Sequence, residues 1–113
     1  MLSKANVYFF PFEAQTRTSL DSSRLMRASQ TTIFSLKNGE ILDSLFQEIR
    51  TLKSTTYNRK SLNLRIYAEL FTQDKPFVHL QIDQLRDVVK INNRFYACTK
   101  RLVELLTRSC VLQ

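Results

Sequence analysis

The sequence predicts an α+β fold, a two-layer sandwich in which two helices cover one face of a mainly antiparallel sheet of about five or six strands. Three observations lead there. Residues 62–71 alternate between two sets of side chains throughout, which is the period of a half-buried strand. Ile41, Leu42, Leu45, Phe46, Ile49 and Leu52 recur on one stripe at helical spacing. Strand-like segments outnumber helical ones, so the helices share one sheet. At 113 residues and 13.3 kDa the chain fits a single α+β domain, 1–113.

Taken in order, residues 5–10 (Ala-Asn-Val-Tyr-Phe-Phe) are aromatic and β-branched and end at Pro11, which reads as a strand with two apolar faces. Residues 12–31 form a long polar loop. Eight Ser or Thr fall between Thr16 and Thr32, mixed with Arg17, Arg24 and Arg27. One or two helical turns over 22–28 would turn Leu25 and Met26 inward. A loop this long in a compact domain is commonly functional or mobile. Residues 31–36 read as a second strand, broken by Asn38-Gly39. Residues 40–53 are the clearest helix. Asn38 is its N-cap, Glu40 and Asp43 lie at the positive end of its dipole, and Arg50 and Lys53 at the negative end.

After a polar connection over 54–61, Leu62, Leu64, Ile66, Ala68 and Leu70 point one way along the next strand, and Asn63, Arg65, Tyr67, Glu69 and Phe71 the other. Turn residues over 72–76 lead into a returning strand, 77–82, with Val78, Leu80 and Ile82 on the core side. Residues 83–98 carry two patterns. Val88, Ile91, Phe95, Cys98, Leu102 and Leu105 step by three and four, as one long helix would. The rival is a hairpin turning at Asn92-Asn93, followed by a separate helix capped by Thr99. The hairpin is preferred, because adjacent Asn residues are poor inside a helix and Phe95-Tyr96-Ala97 suits a strand.

Composition excludes several functions. Gly39 is the one glycine, so neither a dinucleotide fingerprint nor a phosphate-binding loop is present. Cys98, Cys110 and His79 lack the spacing of a zinc or redox motif, and no cofactor or metal is expected. The short apolar run at 7–12 is far below the ~20 residues of a membrane-spanning helix. No membrane association is expected, and the chain as written reads as cytoplasmic, or as periplasmic or secreted if a signal peptide has been removed. Free thiols are the expected state of both cysteines. A Cys98–Cys110 disulfide is the alternative in an oxidising compartment.

Catalytic groupings are weak. His79 is the sole usual general base near neutral pH, and pairing it with Cys98 supplies neither an orienting group nor an oxyanion site. Asp74, Asp83 and Asp87 cluster near turns, where turn and cap roles account for them. The expectation is therefore a protein that is not an enzyme.

The charge is more informative. The net charge is +7. Seven basic and five acidic residues precede Tyr57, and ten and five follow from there. Acid-free stretches at 49–67 and 88–103 mix cations with Tyr57, Tyr67, Phe95 and Tyr96.

Two partner classes fit. The favoured one is another protein, acidic in character, bound by Arg65, Tyr67, Phe71, Phe77 and His79 on the outward face of the 62–82 hairpin, with the 12–31 loop contributing. An immunity-type inhibitor occluding a bacterial toxin is one such module, by analogy of size and architecture alone. The alternative is a nucleic acid bound by Arg50, Lys53, Arg59, Lys60, Lys100 and Arg101. A homodimer through an unpaired strand edge, at 5–10, is a third arrangement.

Overall fold

The computed structural model describes residues 2–57, 62–73 and 75–111, with the side chains of 75–77 and 109–111 outside that description. The order is β1 (Lys4–Phe9), α1 (Ser22–Arg27), β2 (Thr32–Leu36), α2 (Gly39–Thr51), β3 (Leu64–Thr72), β4 (Lys75–Asp83), β5 (Val88–Ile91), β6 (Arg94–Ala97) and α3 (Lys100–Val111). The strands form one antiparallel sheet of order β2-β1-β3-β4-β5-β6. The expected α+β sandwich is present, with α2 and α3 packed on one face.

Local chemistry explains the helices. Asn38 Oδ1 accepts from the Glu40 and Ile41 amides, fixing the start of α2. Thr99 Oγ1 accepts from the Leu102 amide and starts α3 where sequence placed it. The long-helix alternative is excluded, because β5 and β6 pair across a turn in which Asn92 has φ 52°. Asn tolerates that left-handed conformation. Leu42 and Leu45 of α2 and Leu102, Leu105 and Leu106 of α3 bury against Ala5, Val7, Ile66, Ala68, Leu70, Leu80 and Ile82 of the sheet.

The second face has cover of its own at one end. Asp21 caps α1 by accepting from the Arg24 amide at 2.8 Å. Leu25, fully buried, joins Leu20, Phe10, Leu64 and Tyr67 in a separate apolar cluster. The helical turns expected over 22–28 are present as α1 with Leu25 inward, and Leu20 of the expected loop is buried beside it.

The alternation expected over 62–71 breaks at Arg65. Leu64 lies opposite Asp83 and Ile66 opposite Ile82, so β3 carries one extra residue there, a β-bulge. An extra residue reverses the facing of what precedes it. Leu64 thus leaves the helix-covered core and enters the second cluster, and the strand begins at Leu64 rather than at residue 62.

Leu25→Ala is expected to cost about 2–5 kcal/mol, as for any buried leucine, when urea unfolding is compared with the wild type. A cost near zero would mean that α1 is not packed on the sheet in solution.

Candidate functional site

β1, β3 and β4 present the second face of the sheet, and α1 with its flanking segments covers only the end near Phe10 and Leu64. Beyond that cover, cross-strand neighbours follow from the register: Tyr8 with Tyr67, Asn6 with Glu69, Lys4 with Phe71, and Glu69 with His79. Tyr8 and Tyr67 stack at 5.9 Å, and Tyr67 and His79 at 6.0 Å, so three rings run across three strands. The Tyr67 hydroxyl lies 2.7 Å from His79 Nδ1, donating to a bare nitrogen or accepting from a protonated one. The Asn92 side chain accepts from the His79 amide at 3.1 Å. Lys4 Nζ sits 4.7 Å from the centre of the Phe71 ring.

His79 is exposed, while Tyr8, Glu69 and Phe71 are half-buried. Burial raises the Tyr8 hydroxyl pKa, and the Glu69 carboxylate, through its charge and a hydrogen bond, raises it further. Burial likewise raises that of Tyr67, helped by the charge of Glu69.

Two of the expected anchors lie on the expected side of β3 but are covered. Arg65 is fully buried, and 7% of Tyr67 is accessible. Neither offers the expected outward surface, because the second face is roofed at that end. The guanidinium of Arg65 donates to Asn63 Oδ1 at 2.9 Å, to the Leu64 carbonyl at 3.0 Å and to the Ala14 carbonyl at 2.7 Å. It also lies 5.1 Å from the Phe10 ring centre. Burial lowers its pKa from the ordinary arginine value, and the charge of Asp83 opposes that shift. Arg65 Nε is buried without a hydrogen-bond partner. Asn63 Oδ1 also accepts from the Leu20 amide, and Gln84 donates to the Phe12 carbonyl. Residues 12–20 are thereby tied to the sheet.

Phe71 and His79 do lie on the open part of the face. The side chain of Phe77 is outside the described residues. His79 and Cys98 are not brought together: His79 faces the open side, whereas Cys98 packs against the helix-covered core. Asp83, buried, accepts from the Leu85 and Arg86 amides, which is a turn role; Asp74 lies outside the described residues. Among the described residues no group of His, Cys, Asp or Glu could hold a metal ion. Nor, among them, is any helix long and apolar enough to cross a membrane.

The cations assigned to a nucleic acid gather at one end of the helix layer. The Ala97 amide donates to the Lys53 carbonyl and the Thr99 hydroxyl to Glu48, which sets the end of α2 beside the start of α3. Arg50, Lys53, Lys100 and Arg101 are exposed there. Acids are interspersed: Arg101 lines a groove of about 380 Å³ with Asp43 and Glu48, and Lys100 lines another with Glu104. Arg50 lies over Phe46 at 5.7 Å. Arg59 and Lys60 fall outside the described residues.

Sequence reading missed Tyr8 as a site residue. Its signal was the apolar second face of residues 5–10, which a helix layer on the other side leaves uncovered. Comparison with known protein families, with curated proteins and with solved structures finds no match for this chain.

Two predictions arise here. Arg65→Met leaves the acceptors at Asn63 and Ala14 without their donor and should cost about 3–5 kcal/mol in urea unfolding. Limited trypsin digestion should then cleave earlier after Arg17. A stable, protease-resistant variant would show that the buried guanidinium does not hold this segment. The second prediction concerns pH. Burial pushes the Cys98 thiol from 9.0 up to about 11. The folded chain keeps a proton that the unfolded chain loses first, so this contribution to stability is intact below pH 9 and is lost as pH rises to about 11. Stability measured across that interval should fall more steeply for the wild type than for Cys98→Ala.

Proposed function

We propose that the chain is a non-catalytic protein-binding module whose partner, acidic in character, docks on the open half of the second sheet face. The observation that supports it most is the accessible pair Tyr8 and His79, each stacked on the buried Tyr67 ring between them and bordered by Phe71, Lys4 and Glu69. Aromatic side chains supply contact area with few rotamers to freeze, and they are enriched at interface hot spots. Their donors and one carboxylate would set orientation. Occlusion of the partner's own site is the mechanism such a surface offers, as in an immunity-type inhibitor.

A second reading is supported at the β6 edge. Tyr57 stacks on Phe95 at 4.9 Å, and Lys90 Nζ lies 5.7 Å from the same ring centre. A cation beside stacked rings is how single-stranded nucleic acids are held.

One experiment separates the two. The immobilised protein is used to capture partners from native lysate, with and without nuclease, and the captured species is then titrated against variants. A stoichiometric protein that survives nuclease should bind Phe71→Ala and His79→Ala at least tenfold more weakly, about 1.4 kcal/mol. Full affinity in both folded variants removes the open face from the proposal. Binding to a single-stranded oligonucleotide that persists at physiological salt, falls linearly on log axes with added salt, and weakens in Lys90→Glu favours the second reading instead.

A further inference from the structure

The two borders of the sheet are treated differently. Along β6, the Thr55 amide donates to the Phe95 carbonyl, Ser54 bridges Tyr96, and the Ala97 amide donates to Lys53, so residues 53–55 cover that edge. At the other border β2 pairs with β1 and, among the described residues, with nothing else. The 5–10 segment expected at an edge is interior, since β1 is paired on both sides. The exposed edge is β2.

Strand edges are usually blunted by lysine, proline or a bulge. β2, Thr-Ile-Phe-Ser-Leu, has none of these inside it and pairs with β1 without a register shift. Ile33, its second residue, is 60% exposed. The Phe10 amide donates to the Arg65 carbonyl, so alternation gives the even-numbered residues of β1 to β3 and Ala5, Val7 and Phe9 to β2. Their partners Leu36, Phe34 and Thr32 point inward to β1. Ile33 and Ser35 turn their N–H and C=O groups to the free edge.

We infer that two copies of this chain pair antiparallel through β2, about a two-fold axis at Phe34. Ile33 of one copy then faces Ser35 of the other, and each such pair exchanges both main-chain hydrogen bonds. Charge favours a second copy over an acidic segment. β2 contains no cation that an acid would seek, and pairing two uncharged strands sets no like charges opposite each other in a chain of net charge +7. Repulsion between the remaining charges is screened beyond about 8 Å at physiological salt. Because β6 is covered, pairing closes at two copies instead of propagating.

Sedimentation velocity across the micromolar range tests this. The mass should rise from 13.3 kDa towards twice that value with concentration. Ser35→Pro removes an edge donor without removing a β1 ladder bond, and Ile33→Lys places like charges across the axis. Both should remain monomeric at concentrations where the wild type pairs, with melting temperatures near wild type. In the wild type, hydrogen exchange at the Ile33 and Ser35 amides should slow with concentration. A monomer at every concentration, a dimer kept by either folded variant, or exchange at these amides that ignores concentration overturns the pairing.

Discussion

The guanidinium of Arg65 decides how the second face of the sheet is used. It sits on the one extra residue of β3 and joins Asn63, the Leu64 carbonyl and the Ala14 carbonyl. A planar fork of donors can serve acceptors in several directions from one buried point, which an ammonium group does less well. Desolvating it is expensive, and the charge of Asp83 with the three hydrogen bonds offsets part of that cost, while Nε stays unpaired. The same bulge turns Leu64 over to meet Leu20 and Leu25. One residue thus creates a second core and anchors the polar segment above it. It also ends the cover there, leaving Tyr8, Phe71 and His79 accessible.

Elements whose causes are local were legible in the sequence. α2 carries its cap, stripe and charge order within fifteen or so residues, about four turns. The β5–β6 turn follows from Asn92-Asn93, and the start of α3 from Thr99. The bulge was not legible. Leu62 and Leu64 are apolar under either facing, so their alternation with Ile66 could not show that an extra residue intervenes. What settles the facing is a distant demand: Phe10, Leu20 and Leu25 need a partner surface, and they are scattered through a stretch dominated by Ser, Thr and Arg. Arg65 and Tyr67 were assigned to the correct side of the strand. That side was taken for solvent because the residues roofing it did not look like a helix layer.

Charge was a weaker guide than it looked. Several cations are occupied within the fold. Arg86 lies 4.5 Å from the Phe12 ring centre, Arg65 is interior, and Arg24 donates to Thr18 and the Ser19 carbonyl. Of the cations at the α2–α3 end, Arg101 shares a groove with Asp43 and Glu48, and Lys100 another with Glu104. The excess therefore does not form one unbroken basic surface facing the aromatic rows. Lys4 beside Phe71 and Lys90 beside Phe95 sit at separate places on the second face.

The physical case for the open face rests on its stiffness as well as its chemistry. Tyr8, Tyr67 and His79 stand on β1, β3 and β4, strands bonded on both sides. Tyr67 is held beneath by the second cluster and holds His79 through its hydroxyl. A partner meeting these rings would have little main-chain order to impose, so more of the contact energy would appear as affinity. Phe95 differs, because β6 borders the sheet and its stacking partner Tyr57 comes from the connecting segment. The two aromatic groups are thus separated in position, one on the inner strands and one at the β6 border, so variants at Phe71 and at Lys90 probe the two proposed surfaces independently.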